Sequence, residues 1–117
     1  MIRKESDMRV EVRENMRGGP GTVTIRHYLE KEDFAAKTRL CANLVLPPGA
    51  GIGPHQHEKE DEVFIILRGT GTLDDGRTKT TVSAGDSVLT GRGETHSICN
   101  EGTEVLELIA VIMCYPS

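Results

Sequence analysis

The chain has 117 residues and carries 14 Lys and Arg against 18 Asp and Glu, a formal net charge of -4. That length supports one core, so residues 1–117 are read as a single domain, and no Lys/Arg cluster marks a face suited to a phosphate backbone, which argues against a nucleic-acid partner. No apolar run approaches the roughly 18 residues of a membrane span, residues 1–7 lack a signal-peptide core, and Cys41, Cys99 and Cys114 form no Cys-x-x-Cys pair, so a soluble cytoplasmic protein with reduced thiols and no membrane partner is expected.

Short β-rich runs separated by turn residues fill most of the chain. Residues 8–13 alternate apolar and polar side chains and predict a half-exposed strand at a sheet edge. They belong to an N-terminal arm, residues 1–21, that closes on the glycine-rich break Gly18, Gly19, Pro20, Gly21. Further strands are predicted over residues 22–29, 38–46, 62–67, 71–74, 77–82, 87–90, 96–99 and 104–113, with a weak helical signal over 30–37. Asp75 and Gly76 predict a two-residue type I′ hairpin. The spacing of the breaks is that of an all-β sandwich or barrel. Residues 63–67 and 105–113 place apolar side chains on both parities. Both faces of those strands should therefore be covered, and residues 8–13 are expected to pair with or cover a partner chain in a homodimer.

The segment 49–69 concentrates the chemistry. His55 and His57 stand at i and i+2, which in an extended strand puts both imidazoles on one side, roughly 6.5 to 7 Å apart along the backbone. Glu62 follows His57 by five residues, an odd offset that an unbroken strand would send to the other face. A turn or bulge is therefore predicted within residues 58–61, where Glu58, Glu60 and Asp61 are read as a solvated acidic turn. A second segment, 85–100, enters a glycine turn and leaves toward His96. Together His55, His57, Glu62 and His96 offer three imidazole nitrogens and one carboxylate oxygen, a set suited to one divalent transition metal among Fe, Mn, Ni, Co, Cu and Zn. His27 fits neither segment and is read as an ordinary strand residue.

These two segments resemble the motifs of the cupin superfamily, and specifically its small single-domain members. Motif one, Gly-x5-His-x-His-x4-Glu-x6-Gly, is met by Gly49, His55, His57, Glu62 and Gly69; motif two, Gly-x5-Pro-x-Gly-x2-His-x3-Asn, is met by Gly85, Gly93, His96 and Asn100, with Gly91 in place of the proline. The resemblance implies an all-β double-stranded β-helix, or jelly-roll barrel, one metal held by the four residues, and a homodimer. Four protein ligands on an octahedral ion leave two positions for water, dioxygen or a chelating substrate.

Chemistry would then be decided by the barrel wall, for which Arg26, Tyr28, Arg39, Cys41, Asn43, Phe64 and Glu107 are candidates. Strand parity leaves two alternatives: Arg39, Cys41 and Asn43 face inward and give a polar pocket, or Leu40, Ala42 and Leu44 do and give an apolar one. The expectation is a metal-dependent enzyme, dioxygenase- or decarboxylase-like, acting on an oxygen-rich small molecule such as a carboxylic acid or enol. Glu62 would serve as base as well as ligand, assisted by Arg39, Asn43 and Tyr28. The alternatives are a non-catalytic sensor or storage module that binds a small molecule or metal, and a sugar isomerase-type cupin.

Overall fold

The computed structural model describes residues 1–116. Its strands are β1 (Arg9–Glu14), β2 (Thr22–Leu29), β3 (Thr38–Leu46), β4 (Gly51–Gln56), β5 (Glu60–Arg68), β6 (Thr70–Asp74), β7 (Lys79–Ser83), β8 (Ser87–Thr90), β9 (Thr95–Cys99) and β10 (Leu106–Cys114). They form a six-stranded sheet in the order β1-β2-β3-β10-β5-β8 and a four-stranded sheet in the order β4-β9-β6-β7. Neighbours in both sheets pair antiparallel. Among the described residues no helix is long and apolar enough to cross a membrane.

The predicted strands match these elements to within a few residues at each end. Strand β4 was not among them as a whole, because Gly51, Gly53 and Pro54 weaken any strand signal; it is held by pairing with β9. The helical signal over 30–37 shrinks to one 3-10 turn, Lys31–Asp33, whose capping box joins Glu30 and Asp33. At the hairpin the tight turn is centred one residue later than expected. Asp75 N–H donates to Thr78 O, and only Gly76 has a positive φ, +89°, whereas a type I′ turn requires it at both central residues. The Asp75 carboxylate accepts the N–H groups of Arg77 and Thr78 and fixes this form.

Side-chain alternation sets the core. Val23 and Ile25 of β2, Ala42, Leu44 and Leu46 of β3, and Leu106, Leu108 and Ala110 of β10 face the four-stranded sheet, which contributes Ile52 and Ile98. The parity of β3 is thereby decided: Leu40, Ala42 and Leu44 point inward, and Cys41 and Asn43 outward. Arg39 escapes this rule because the β10–β3 register slips between Ile112, opposite Leu40, and Met113, opposite Thr38. The outer face of the six-stranded sheet is unusually apolar. Val10, Val12, Ile65 and Leu89 lie on it, with Val12 65% and Leu89 66% exposed.

Strand β1 is an edge strand, as its alternation predicts, and its inner face is tied to β2 by Glu11, whose carboxylate meets His27 Nε2 at 2.5 Å. The bond to His27, working against burial and aided by Arg13 and Arg9, draws Glu11 down from 4.5 to about 2. A carboxylate lowered on folding stabilises the native state above its unfolded value, and that contribution is lost as pH falls through the folded one. Thermal midpoints of wild type should therefore drop between pH 4.5 and about 2 more steeply than those of Glu11→Gln; superimposable profiles would remove the bond from the account.

Candidate metal centre

Both sheets and one turn supply the cluster. His55 on β4 and His96 on β9 are cross-strand partners, so their side chains project together. Glu62 comes from β5, in the other sheet, directly opposite Thr90 of β8. His57 lies just past β4, where Lys59 takes a left-handed φ of 57° and reverses the chain. This is the predicted break, and it turns Glu62 onto the side of the two histidines. The turn is clamped to the second motif: His57 N–H donates to Glu94 O, and Gly93 N–H donates to His57 O.

One ligand atom from each of His55, His57, Glu62 and His96 lies within 4.8 Å of all the others. His96 Nε2 is 3.1 Å from His55 Nε2 and 3.1 Å from His57 Nε2. Glu62 Oε1 is 2.9 Å from the Nε2 atoms of His57 and His96, and 3.9 Å from that of His55. Ligands about 2.1 Å from one cation are roughly 3 Å apart when cis in an octahedron and nearer 3.4 Å in a tetrahedron. The short edges fit the octahedral case.

Proton placement turns proximity into a test of fit. His55 Nδ1–H donates to Gly53 O, which only accepts, and His57 Nδ1–H donates to the Glu60 carboxylate. In the neutral imidazoles both Nε2 atoms therefore present lone pairs to the cluster. His96 Nδ1 meets Thr90 Oγ1 at 2.8 Å, a hydroxyl able to accept from Nδ1–H or to donate to a bare Nδ1. With the imidazoles neutral, as ligands must be, the contacts from Glu62 to these Nε2 atoms are not hydrogen bonds, and Glu62 Oε1 is a buried acceptor without a donor. Four electron-rich atoms facing one another in a buried site repel unless a cation stands among them. The residues present fit a divalent metal.

Electrostatics around the cluster divide between a protonated and a metal-ready form. Burial opposes ionisation of Glu62, yet without a metal the three histidines, acting as proton donors, hold it well below the usual carboxylate range. Burial pushes His96 down, toward the neutral form a ligand needs. His57 is drawn the other way: Glu62 and Glu60 outweigh its burial. The His96 ring also stacks on Phe64, with centroids 4.9 Å apart and planes at 16°. Phe64 is 1% exposed, and burying a side chain of that size stabilises the fold by about 2 to 3 kcal/mol.

Glu60 was expected to be a solvated turn residue and is not. Once β5 begins at Glu60, Glu60 shares the parity of Glu62, which is the signal that could have found it. Its carboxylate accepts from His57 on one side, and on the other from Arg39 Nε at 2.7 Å and Nη2 at 2.8 Å. The bidentate Arg39 contact is the first reason that Glu60 is lowered. Asp61 is likewise engaged, as acceptor of the Tyr115 hydroxyl. At Gly91, where the second motif has proline, a Cβ would meet the Asp61 carboxylate in its present position.

The other wall candidates divide. Arg39 and Phe64 line a cavity of about 60 Å3 over His55, His57 and Glu62, together with Leu40, Leu44, Ile112 and, from the N-terminal arm and the turn after it, Arg13, Met16 and Arg17. Arg13 and Arg17 carried no sequence signal, because long-range packing of the arm puts them there. Asn43 and Tyr28 are on the opposite, outer face of the six-stranded sheet, where Asn43 Nδ2 donates to Tyr28 Oη at 3.0 Å and to Glu107 Oε2 at 2.8 Å. Arg26 and Glu107 line a separate cavity there. The structure does not bring Asn43 or Tyr28 to the cluster, since the alternation of β3 sends Asn43 away from it.

A family model described as Cupin domain matches residues 43–112. An oxalate-binding protein of Thermotoga maritima is 43% identical over 97% of this chain and 93% of its own length. A solved structure from the same organism, described as a predicted oxalate decarboxylase, superposes with a TM-score of 0.92 at 43% identity, covering 97% of this chain and 99% of that one. A polyketide cyclase of Streptomyces resistomycificus shares the fold at 23% identity, with a TM-score of 0.77 over 97% of this chain and 80% of its own.

Glu60 orients His57, and partners of this kind typically contribute roughly ten- to a hundredfold to metal affinity. Titration calorimetry of Mn(II) or Co(II) into metal-free protein should show that loss in Glu60→Gln. Equal affinities for the variant and wild type would contradict the orienting role.

Proposed function

The chain belongs to the cupin family, and on that premise we propose that it is a metal-dependent binding protein for a small dicarboxylate of the oxalate class. The observation that carries this reading is the position of the arginine-lined cavity directly over the His55, His57, Glu62 and His96 cluster. A divalent metal held by these four residues would supply Lewis-acid binding of a chelating carboxylate. The chain contributes the rest. Leu40, Leu44, Phe64 and Ile112 keep the space small and dry, and Arg13, Arg17 and Arg39 make it attractive to anions. The size suits a ligand of a few heavy atoms. The relatives named for oxalate point to the same ligand class.

Catalysis by decarboxylation is the second reading, favoured by the name of the solved relative. Oxalate would lose one carboxyl as carbon dioxide, and the carbon left behind would take a proton to give formate. That proton must come from a wall group, yet the titratable residues lining the cavity are His55, His57, Glu62 and arginines. Arginine does not release its proton in this pH range, so Glu62 would have to leave the cluster to act. This favours binding over decarboxylation.

The expected result is that oxalate binds the metal-loaded protein, is recovered unchanged, and does not bind after verified metal removal or in His96→Gln. Formate release would turn the reading to decarboxylation. Oxalate affinity untouched by metal removal would end both.

The proposal extends to a cytoplasmic homodimer. The exposed Val10, Val12, Ile65 and Leu89 on the outer sheet face, and the unpaired edge of β1, support the dimer; free Cys41, Cys99 and Cys114 suit a reducing compartment. Sedimentation at micromolar concentration should give the mass of two chains, and a strict monomer would contradict the dimer.

A further inference from the structure

The arm crosses the cavity in an unusual backbone conformation. After β1 a 3-10 turn, Met16–Gly18, is entered through Asn15 at φ 50° and ψ 47°, and Arg17 within it has φ 53° and ψ 30°. Residues other than glycine rarely occupy this left-handed region, and persist there only where the surroundings hold them. Here they are held closely. Asn15 N–H donates to Gly21 O, the Asn15 side-chain amide to Gly19 O, and Gly51 N–H to Pro20 O. Beneath the turn lies β4, with backbone against backbone: a Cβ at Gly19 would overlap the Gly51 carbonyl, and one at Gly53 would overlap the carbonyl of Arg17. Gly53 is also the residue whose carbonyl orients His55. The placement of Arg17 and that of a ligand imidazole are therefore fixed by the same contact.

Charge singles out Arg17 among the arginines of the cavity. Arg39 is paired with Glu60, and Arg13 with Glu11. Arg17 has no ion-pair partner among the described residues. If Arg39 and Arg13 are cancelled by their carboxylates, the centre retains a divalent cation, the single negative charge of Glu62 and the positive charge of Arg17. The sum matches a dianion better than a monoanion.

We propose that Arg17 sets the charge specificity of the cavity, anchoring the far carboxylate of a dianion whose near end faces the four-residue cluster. This rests on the reading of the site as a metal-dependent dicarboxylate binder. The left-handed backbone of the turn is the means by which the arm presents Arg17 at the rim.

The test compares oxalate, a dianion, with glycolate, a monoanion of similar size and chelating geometry, by calorimetric titration of Mn(II)-loaded protein. Arg17→Gln is expected to lose roughly ten- to a hundredfold in oxalate affinity, the usual effect of removing a charge-assisted contact. Its glycolate and Mn(II) affinities should change by less than about threefold. Arg17→Lys should retain most of the oxalate affinity. Arg17→Gly, which suits the left-handed φ, should melt no lower than wild type while losing oxalate as Arg17→Gln does, separating anchoring from a structural role. Equal losses for both anions, or none for either, would overturn the anchoring role and leave the metal-dependent reading standing. Failure of Mn(II)-loaded wild type to bind either anion would remove both.

Discussion

The structure depends on one electrostatic constraint: three imidazole nitrogens and a carboxylate oxygen face the same point, and the Nδ1 protons of His55 and His57 are directed elsewhere. Gly53 O and the Glu60 carboxylate take the protons of His55 and His57 on the far sides of the rings. Glu62 is 4% exposed. An uncompensated carboxylate in that position costs several kcal/mol, and the lone pairs around it offer no relief. A divalent cation among the four atoms would make the arrangement favourable. The rest of the site then becomes intelligible as support for that cation: the cross-strand placement of His55 and His96, the left-handed Lys59, and Thr90 opposite Glu62.

Around this centre two further layers act together. Phe64 stacks on His96, and Arg39 grips Glu60, which in turn holds His57, so two of the three imidazoles are oriented by neighbours that also border the cavity. The N-terminal arm adds a third layer by docking glycine against glycine on β4. Cavity and candidate metal centre are therefore built by the same contacts. On the reading proposed above, the small volume and the arginines suit a ligand that is short and negative.

Much of this was legible in the sequence because it is local. The spacing of His55, His57, Glu62 and His96 identified the cluster, and the odd offset before Glu62 correctly demanded a break, found at Lys59. Most strand positions followed from alternation. What stayed hidden depended on distant packing. Glu60 looks like one more acid in a charged run until β5 is seen to start there. Arg13, Met16 and Arg17 reach the cavity only because a turn in left-handed geometry crosses β4. The parity of β3 was undecidable while both faces were apolar enough to be covered, and the outcome moved Asn43 to the outer surface while a register slip kept Arg39 at the cavity. The contact at Gly91, where the Asp61 carboxylate occupies the space of the absent Cβ, is likewise one that spacing does not reveal.

X-ray absorption on protein loaded with one equivalent of Mn(II) or Co(II) tests the central claim most directly. The account predicts a six-coordinate nitrogen and oxygen shell with outer scattering from about three imidazoles, reduced to about two in His96→Gln. A spectrum of the hydrated ion, or imidazole scattering unchanged in that variant, would contradict it.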